Sequence, residues 1–191
     1  MVLSTLKLLE LNKKYGFIEN LGERETENSE GVGIDIRAGE VYRLMGEGRL
    51  GVTERKSSDV KKIADIKEGD KEIIVKPGEY LLLKTIEYFN IPGEKIEVEE
   101  GSEPKYLCLH TYPRSTLQRC GIYLMATKTD PGYRGELTFA ISNLGGKPFR
   151  LELGSRIANI VFLEVTGEIQ RPYEGQWKGG RVSTSGTEKQ E

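Results

Sequence analysis

Pro113-Arg114-Ser115-Thr116-Leu117 and, twelve residues on, Thr129-Asp130-Pro131-Gly132-Tyr133-Arg134-Gly135 are the two stretches whose reading decides the fold. Pro113 turns the chain. After it come a guanidinium, two hydroxyls and the free N–H groups of an opening helix, a combination suited to a phosphate chain. In the second stretch the residue before a proline is held extended, so Asp130 presents a fixed carboxylate in a tight turn beside the Tyr133 ring. Both stretches lie between short apolar strands, Tyr106 to His110 before the first and Glu136 to Asn143 after the second. A third corner, Leu153-Gly154-Ser155-Arg156, leads into the apolar run Ile157 to Phe162. Functional side chains on turns between short strands describe a rigid β scaffold with a polar site on its loops. The pattern suits a polyanion and does not say which one.

Toward the N-terminus, Ser4 or Thr5 can cap a helix over residues 4–15, in which Leu6, Leu8, Leu9 and Leu11 recur at helical spacing. Lys13 and Lys14 suit its C-terminal end and Gly16 its stop; its expected place is on the outside of a barrel. Residues 20–31 are polar and predict a loop. Gly33 to Leu44 supplies the first strands, with Asp35 between Ile34 and Ile36 and therefore facing away from them. Residues 46–70 are charged and poor in apolar side chains, which predicts a long loop or hairpin insertion with Lys56, Lys61 and Lys62 on a solvated face. Strands at 71–75 and from Glu79 to Thr85 flank the turn at Pro77-Gly78, and Ile91-Pro92-Gly93 turns the chain again. Short strands between regular turn signals, few helices and no internal repeat predict a mainly β barrel or sandwich.

The 191 residues fit one domain, read as a β domain over 1–170 with a flexible tail over 171–191. With 37% hydrophobic and 30% charged residues, the composition is that of a soluble globular protein. No apolar run approaches the roughly 18–20 residues of a membrane span, and the first residues lack the basic region and small-residue cleavage site of a signal peptide. No membrane partner and a cytoplasmic location are the expectation. A net charge of −2 argues against a nucleic-acid partner and makes any anion site local. Cys108 and Cys120 are expected as small buried thiols, and with His110 as the one histidine they cannot complete a tetrahedral metal set. His110 occupies a strand position and is expected to pack.

These motifs resemble the dUTPase and dCTP deaminase superfamily, in its deaminase-like branch. Arg114 to Arg119 resembles the phosphate-binding motif of that branch, Asp130 to Gly135 its pyrimidine and deoxyribose hairpin, and Gly154 to Phe162 the run that dUTPases share near the metal and phosphates. Val32 to Arg37, Lys76 to Glu79 and Arg171 to Tyr173 extend the register over roughly residues 4 to 185. The resemblance implies a distorted jelly roll, or β-clip, with one N-terminal helix and a short helix at 115–119. It also implies a homotrimer whose sites combine the 114–119 motif of one subunit with the 127–140 hairpin of a neighbour. Arg114, Ser115, Thr116 and Arg119 then hold phosphates, with Asn159 and, from a tail that closes over the nucleotide, Gln176 and Lys178. Thr129, Asp130, Tyr133, Ala140 and Tyr173 line the nucleoside. Mg²⁺ is implied on the triphosphate, with Asp35 and Asn159 behind it and no direct protein ligand.

One position separates the two activities of the superfamily. In dCTP deaminases the residue ten after the hairpin aspartate is a glutamate that shuttles protons at the cytosine ring; here it is Ala140. Glu136 falls on the same face by alternation but lies about 13 Å away along a strand. The expectation is a dUTP diphosphatase with Asp130 as general base, deprotonating the water that attacks the α-phosphorus. Asn159 where dUTPases usually have glutamine, and a tail without a phenylalanine after Gly179-Gly180, depart from the dUTPase pattern. The alternatives are a dCTP deaminase, with or without dUTP hydrolysis, and a non-catalytic homologue that binds deoxynucleotides.

Overall fold

In the computed structural model, which describes residues 1–190, the chain opens with helix α1 (Thr5–Tyr15). The Ser4 hydroxyl caps it, accepting from Lys7 N at 3.3 Å, and Gly16 ends it in the left-handed region at φ 67°. Leu8 and Leu11 are buried against the sheet while Leu6 remains exposed. Strand β1 (Ile18–Glu19) and helix α2 (Glu23–Glu27) follow. Next come β2 (Ile34–Met45), β3 (Arg49–Leu50), β4 (Glu54–Lys56) and β5 (Asp59–Asp65), a 3-10 turn at Ile66–Glu68, then β6 (Glu72–Val75) and β7 (Tyr80–Asn90). Strand β8 (Tyr106–Pro113) delivers helix α3 (Ser115–Arg119). The chain continues through β9 (Ile122–Met125), β10 (Lys128–Thr129), β11 (Arg134–Asn143), β12 (Phe149–Glu152) and β13 (Arg156–Val165) to β14 (Glu188–Lys189).

Nine strands make one antiparallel sheet in the order β10-β8-β13-β2-β7-β11-β9, with β1 added along β7 and β5 along β2. The sheet curls because β2 is shared: its first residues pair with β13, its later ones with β7 and β5. Bulges mark the change of partner. Phe17, Phe89 and Phe162 are fully buried, and the Phe17 and Phe162 rings stack at 6.0 Å, tying the end of α1 to β13. Each such ring contributes roughly 1.5–3 kcal/mol by burial. The fold is the mainly β, curled architecture expected.

Several local expectations are corrected. Residues 20–31 contain α2, a helix of Glu-Arg-Glu-Thr-Glu with no apolar face; its buried residue is Glu25, held by ion pairs rather than by hydrophobic contact. Over residues 46–70 the structure has the hairpin insertion rather than the loop, β3 pairing with β4, and adds β5 as an edge strand along β2. Lysines on β5 suit an edge that must not pair with another chain. His110 sits on β8 opposite Lys128 and is exposed, not packed. Cys108 is half-buried and Cys120 exposed, both as free thiols. The register shift between Glu136 and Thr138 is taken up on β7, where four residues pass two of β11, and the burial alternation of β11 continues through it. Among the described residues no helix is long and apolar enough to cross a membrane.

Candidate active site

Register places Asp35 on β2 opposite Asn159 on β13, and the Asn159 side-chain amide donates to Asp35 Oδ1 at 3.0 Å. The other carboxylate oxygen accepts from Arg156 Nη1 at 2.9 Å and from Arg114 Nη1. Arg114 follows β8, and its backbone N–H donates to the Ile157 carbonyl at 3.0 Å, which fixes the start of α3 against β13. Helix α2 adds a second buried carboxylate: Glu25 accepts from the Asp35 backbone N–H at 2.9 Å and from Arg24 Nη1 at 2.7 Å, and lies 3.9 Å from Arg156 Nη1. Three guanidiniums therefore face two buried carboxylates, and Arg24 reaches a third, exposed one, Glu30, at 3.5 Å. Burial, and then repulsion by Arg156 and Arg24, shifts Arg114 below the ordinary arginine value. An added anion relieves that repulsion. Gly33 makes room for the arrangement, since a β-carbon there would lie 2.0 Å from Asn159 Oδ1.

Both oxygens of Asp35 are thus taken up in holding Arg114, Arg156 and Asn159. Asp35 and Asn159 brace the arginines from behind. Among the described residues no group of three His, Cys, Asp or Glu side chains can hold a metal ion. The donor set does not fit a protein-bound metal.

The hairpin between β10 and β11 borders a cavity of about 340 Å³ lined by Thr129, Asp130, Tyr133, Thr138, Tyr173 and Trp177. Leu82, Leu137 and Val182 supply its apolar wall, and Lys128 and Arg181 its cationic rim. Among the described residues Asp130 is the one carboxylate in that lining. Lys128 pairs with it. The Tyr133 hydroxyl donates to the Glu136 carbonyl at 2.7 Å, and its ring meets Tyr173 at 5.7 Å between centroids. Burial pushes the Tyr133 phenol well above its ordinary value, so it stays neutral. The Thr138 hydroxyl oxygen is buried with no partner among the described residues. A second, more open cleft of about 860 Å³ continues past Asp130 and is bordered by Arg55, Arg171, Gln176 and Lys189.

Of the residues singled out from sequence, Thr129, Asp130, Tyr133 and Tyr173 come together here. Ala140 does not line the cavity; it is buried between Leu82 of β7 and Met125 of β9. Arg114, Ser115, Thr116 and Arg119 form a separate corner. Thr129 pairs with Leu109, and five further residues of extended chain to Arg114 span about 17 Å. Ser115 and Thr116 are exposed on α3, and Arg119 Nη1 donates back to the Ser115 carbonyl at 3.2 Å. Lys178 is engaged by Glu174 at 2.6 Å.

The tail runs over this cavity. Tyr173 N–H donates to the Pro131 carbonyl at 2.7 Å, Gly179 N–H to the Arg134 carbonyl at 2.6 Å, and Trp177 N–H to the Tyr173 hydroxyl at 3.2 Å. It then reaches the β3–β4 hairpin, where Thr184 N–H donates to Ser57 Oγ at 2.7 Å and β14 pairs with β4. Sequence reading missed Arg24, Glu25, Arg55 and Trp177. For the first two the available signal was alternating charge without apolar partners, which reads equally well as a loop.

Comparison with known proteins adds the following. A family model described as dCTP deaminase-like matches residues 2–165. A dCTP deaminase of Aeropyrum pernix is 32% identical over 149 residues, 78% of this chain and 76% of that protein. A dCTP deaminase, dUMP-forming, of Dictyoglomus turgidum is 31% identical over 145 residues, 73% of this chain and 68% of that protein. The crystal structure of the 2'-deoxycytidine 5'-triphosphate deaminase from Agrobacterium tumefaciens superposes with a TM-score of 0.59 at 14% identity, over 84% of this chain. The chain spans 46% of the length of that structure.

Proposed function

The chain belongs to the dCTP deaminase-like family, and from that premise we propose that it hydrolyses dUTP to dUMP and pyrophosphate, with Asp130 as general base. The observation that carries this reading is the cavity lining, in which Asp130 is the one carboxylate among the described residues. Deamination of a cytosine ring needs a proton carrier at the ring; the position expected to supply it is Ala140, buried outside the cavity. Glu136 does not replace it, being 3.4 Å from Lys84 and covered by Gly180 of the tail.

In this reading the pyrimidine and sugar lie in the cavity against Tyr133, and the triphosphate leaves past Asp130 into the wider cleft. A water oxygen forms the new bond to the α-phosphorus and Asp130 takes its proton. The bond to the bridging oxygen breaks, and pyrophosphate departs with the electron pair. Magnesium is part of the substrate, carried on the triphosphate. The Arg114 corner, about 17 Å from the hairpin within one chain, suits a site completed by another subunit of a homotrimer.

The Thr138 hydroxyl supports a second reading, dCTP deamination, because it can bond the exocyclic amino group of cytosine. Parallel incubations with dUTP and dCTP in magnesium, followed by anion-exchange separation, test the two. The hydrolase reading expects dUMP from dUTP and unchanged dCTP. Conversion of dCTP to dUTP or dUMP would establish the second.

A further inference from the structure

Beside that site, sharing Arg55, Gln176 and Trp177 with it, lies a pocket whose remaining residues Arg49, Lys56 and Gln190 have no place in the proposed reaction. The β3–β4 hairpin and the C-terminal tail enclose a cavity of about 720 Å³ bordered by Arg49, Arg55, Lys56, Gln176, Gln190 and Trp177. Three of the polar atoms around it are buried with no hydrogen-bond partner among the described residues: Arg55 Nε, Gln176 Oε1 and Gln190 Oε1. Buried polar groups are nearly always paired, so three on one cavity mark a surface shaped for a bound molecule. Among the described residues none of Arg49, Arg55 and Lys56 makes an ion pair with a carboxylate. Ser57 and Thr184 add hydroxyls, already bonded to each other's backbone N–H groups, which lock the hairpin to the tail.

We propose that this pocket binds an oligophosphate anion, free or carried by a second nucleotide, and thereby holds the tail over the hairpin cavity. Three cations on one short hairpin and the buried Arg55 N–H match phosphate oxygens. The two amides and the indole face of Trp177 can in addition meet a base, which is how a nucleotide is distinguished from inorganic polyphosphate. Trp177 borders both this pocket and the hairpin cavity, so an anion on one side orders a wall of the other. The proposal does not depend on which reaction the hairpin cavity supports.

The chain has one tryptophan, so its fluorescence reports on this wall directly. Pyrophosphate and tripolyphosphate are titrated into the full-length protein, first alone and then after saturation with deoxyuridine, which carries no phosphate. A saturable change is expected in both cases. It is expected to weaken at least about tenfold in Arg55→Gln and in Lys56→Gln, and to persist in a Ser115→Ala, Arg119→Gln double variant. An intact deoxyuridine response in the Arg55 and Lys56 variants shows that they are folded. The proposal is overturned if wild-type protein gives no saturable change, or if the double variant loses the response while Arg55→Gln keeps it. The latter outcome would put the anion at the α3 corner. Tighter binding of dUMP than of pyrophosphate, lost with Arg55→Gln while deoxyuridine still binds, identifies the ligand as a second nucleotide. A failed deoxyuridine response in wild type counts against the nucleoside cavity alone.

Discussion

Gly135 of β11 and Gly180 of the tail touch backbone to backbone: a β-carbon on Gly135 would lie 2.1 Å from the Gly180 nitrogen. Gly135 also holds φ 130°, where other residues are strained. The contact is how the tail reaches its place over the cavity. Gly135→Ala is expected to lift residues 173–182 off the hairpin at a cost of about 1–3 kcal/mol. Trp177 emission should then shift to the red and limited proteolysis should cut the tail first, with the β core unchanged. An unshifted emission would mean that the tail is held from elsewhere.

Asp130 is half-buried at the junction of the hairpin cavity and the wider cleft. If it is the general base, Asp130→Asn keeps its shape and removes proton acceptance. Turnover of dUTP is expected to fall about 10²- to 10⁴-fold. The dissociation constant of a non-hydrolysable dUTP analogue should change little. Loss of binding and turnover together would make Asp130 a binding residue instead.

The two parts of the site were legible in the sequence to different degrees. The hairpin was legible because its chemistry is local: Asp130-Pro131-Gly132-Tyr133 fixes turn and side chains within four residues. The tail and α2 were not, because what holds them is distant. Glu25 is buried by Arg24 beside it and by Arg156 on β13, 131 residues away, and no periodicity announces such a partner. Ser57 and Thr184 meet across 127 residues through hydroxyl-to-backbone bonds. The alternation along β11 was legible because the irregularity beside it lies on β7, where Thr85 Oγ1 accepts from Leu137 N–H.

Removing Asp35 isolates Arg114 and Arg156 from the carboxylate oxygen that they share. Asp35 is buried, while both arginines are about a third exposed and partly screened. Asp35→Ala is therefore expected to cost about 3 kcal/mol, the lower end for breaking a buried pair. Urea unfolding would show it as a lower midpoint at unchanged slope. Asp35→Asn, which keeps the shape and one oxygen acceptor but loses the charge and the other acceptor, should cost less. Equal losses in the two variants would show that charge rather than shape holds the cluster.

Arg181 and Glu188 close the last turn of the tail at 2.5 Å, and Ser185 N–H adds a bond at 3.1 Å to the same carboxylate oxygen. The hydrogen bond from Arg181 comes first among the causes that hold the Glu188 carboxyl below its ordinary value of 4.5. A carboxyl depressed in the closed state stabilises that state above its open-state value, and the contribution is lost as pH falls through the closed-state value. The clasp should therefore be complete at neutral pH and fail below about pH 4.5, before the buried β core unfolds. Trp177 fluorescence should report an early acid transition of the tail, and circular dichroism a later one of the sheet. Glu188→Gln should abolish the early transition and leave the tail loosely held at every pH. An early transition that persists in that variant would assign the acid sensitivity to another group, and the Arg181–Glu188 clasp would not be what keeps the tail closed.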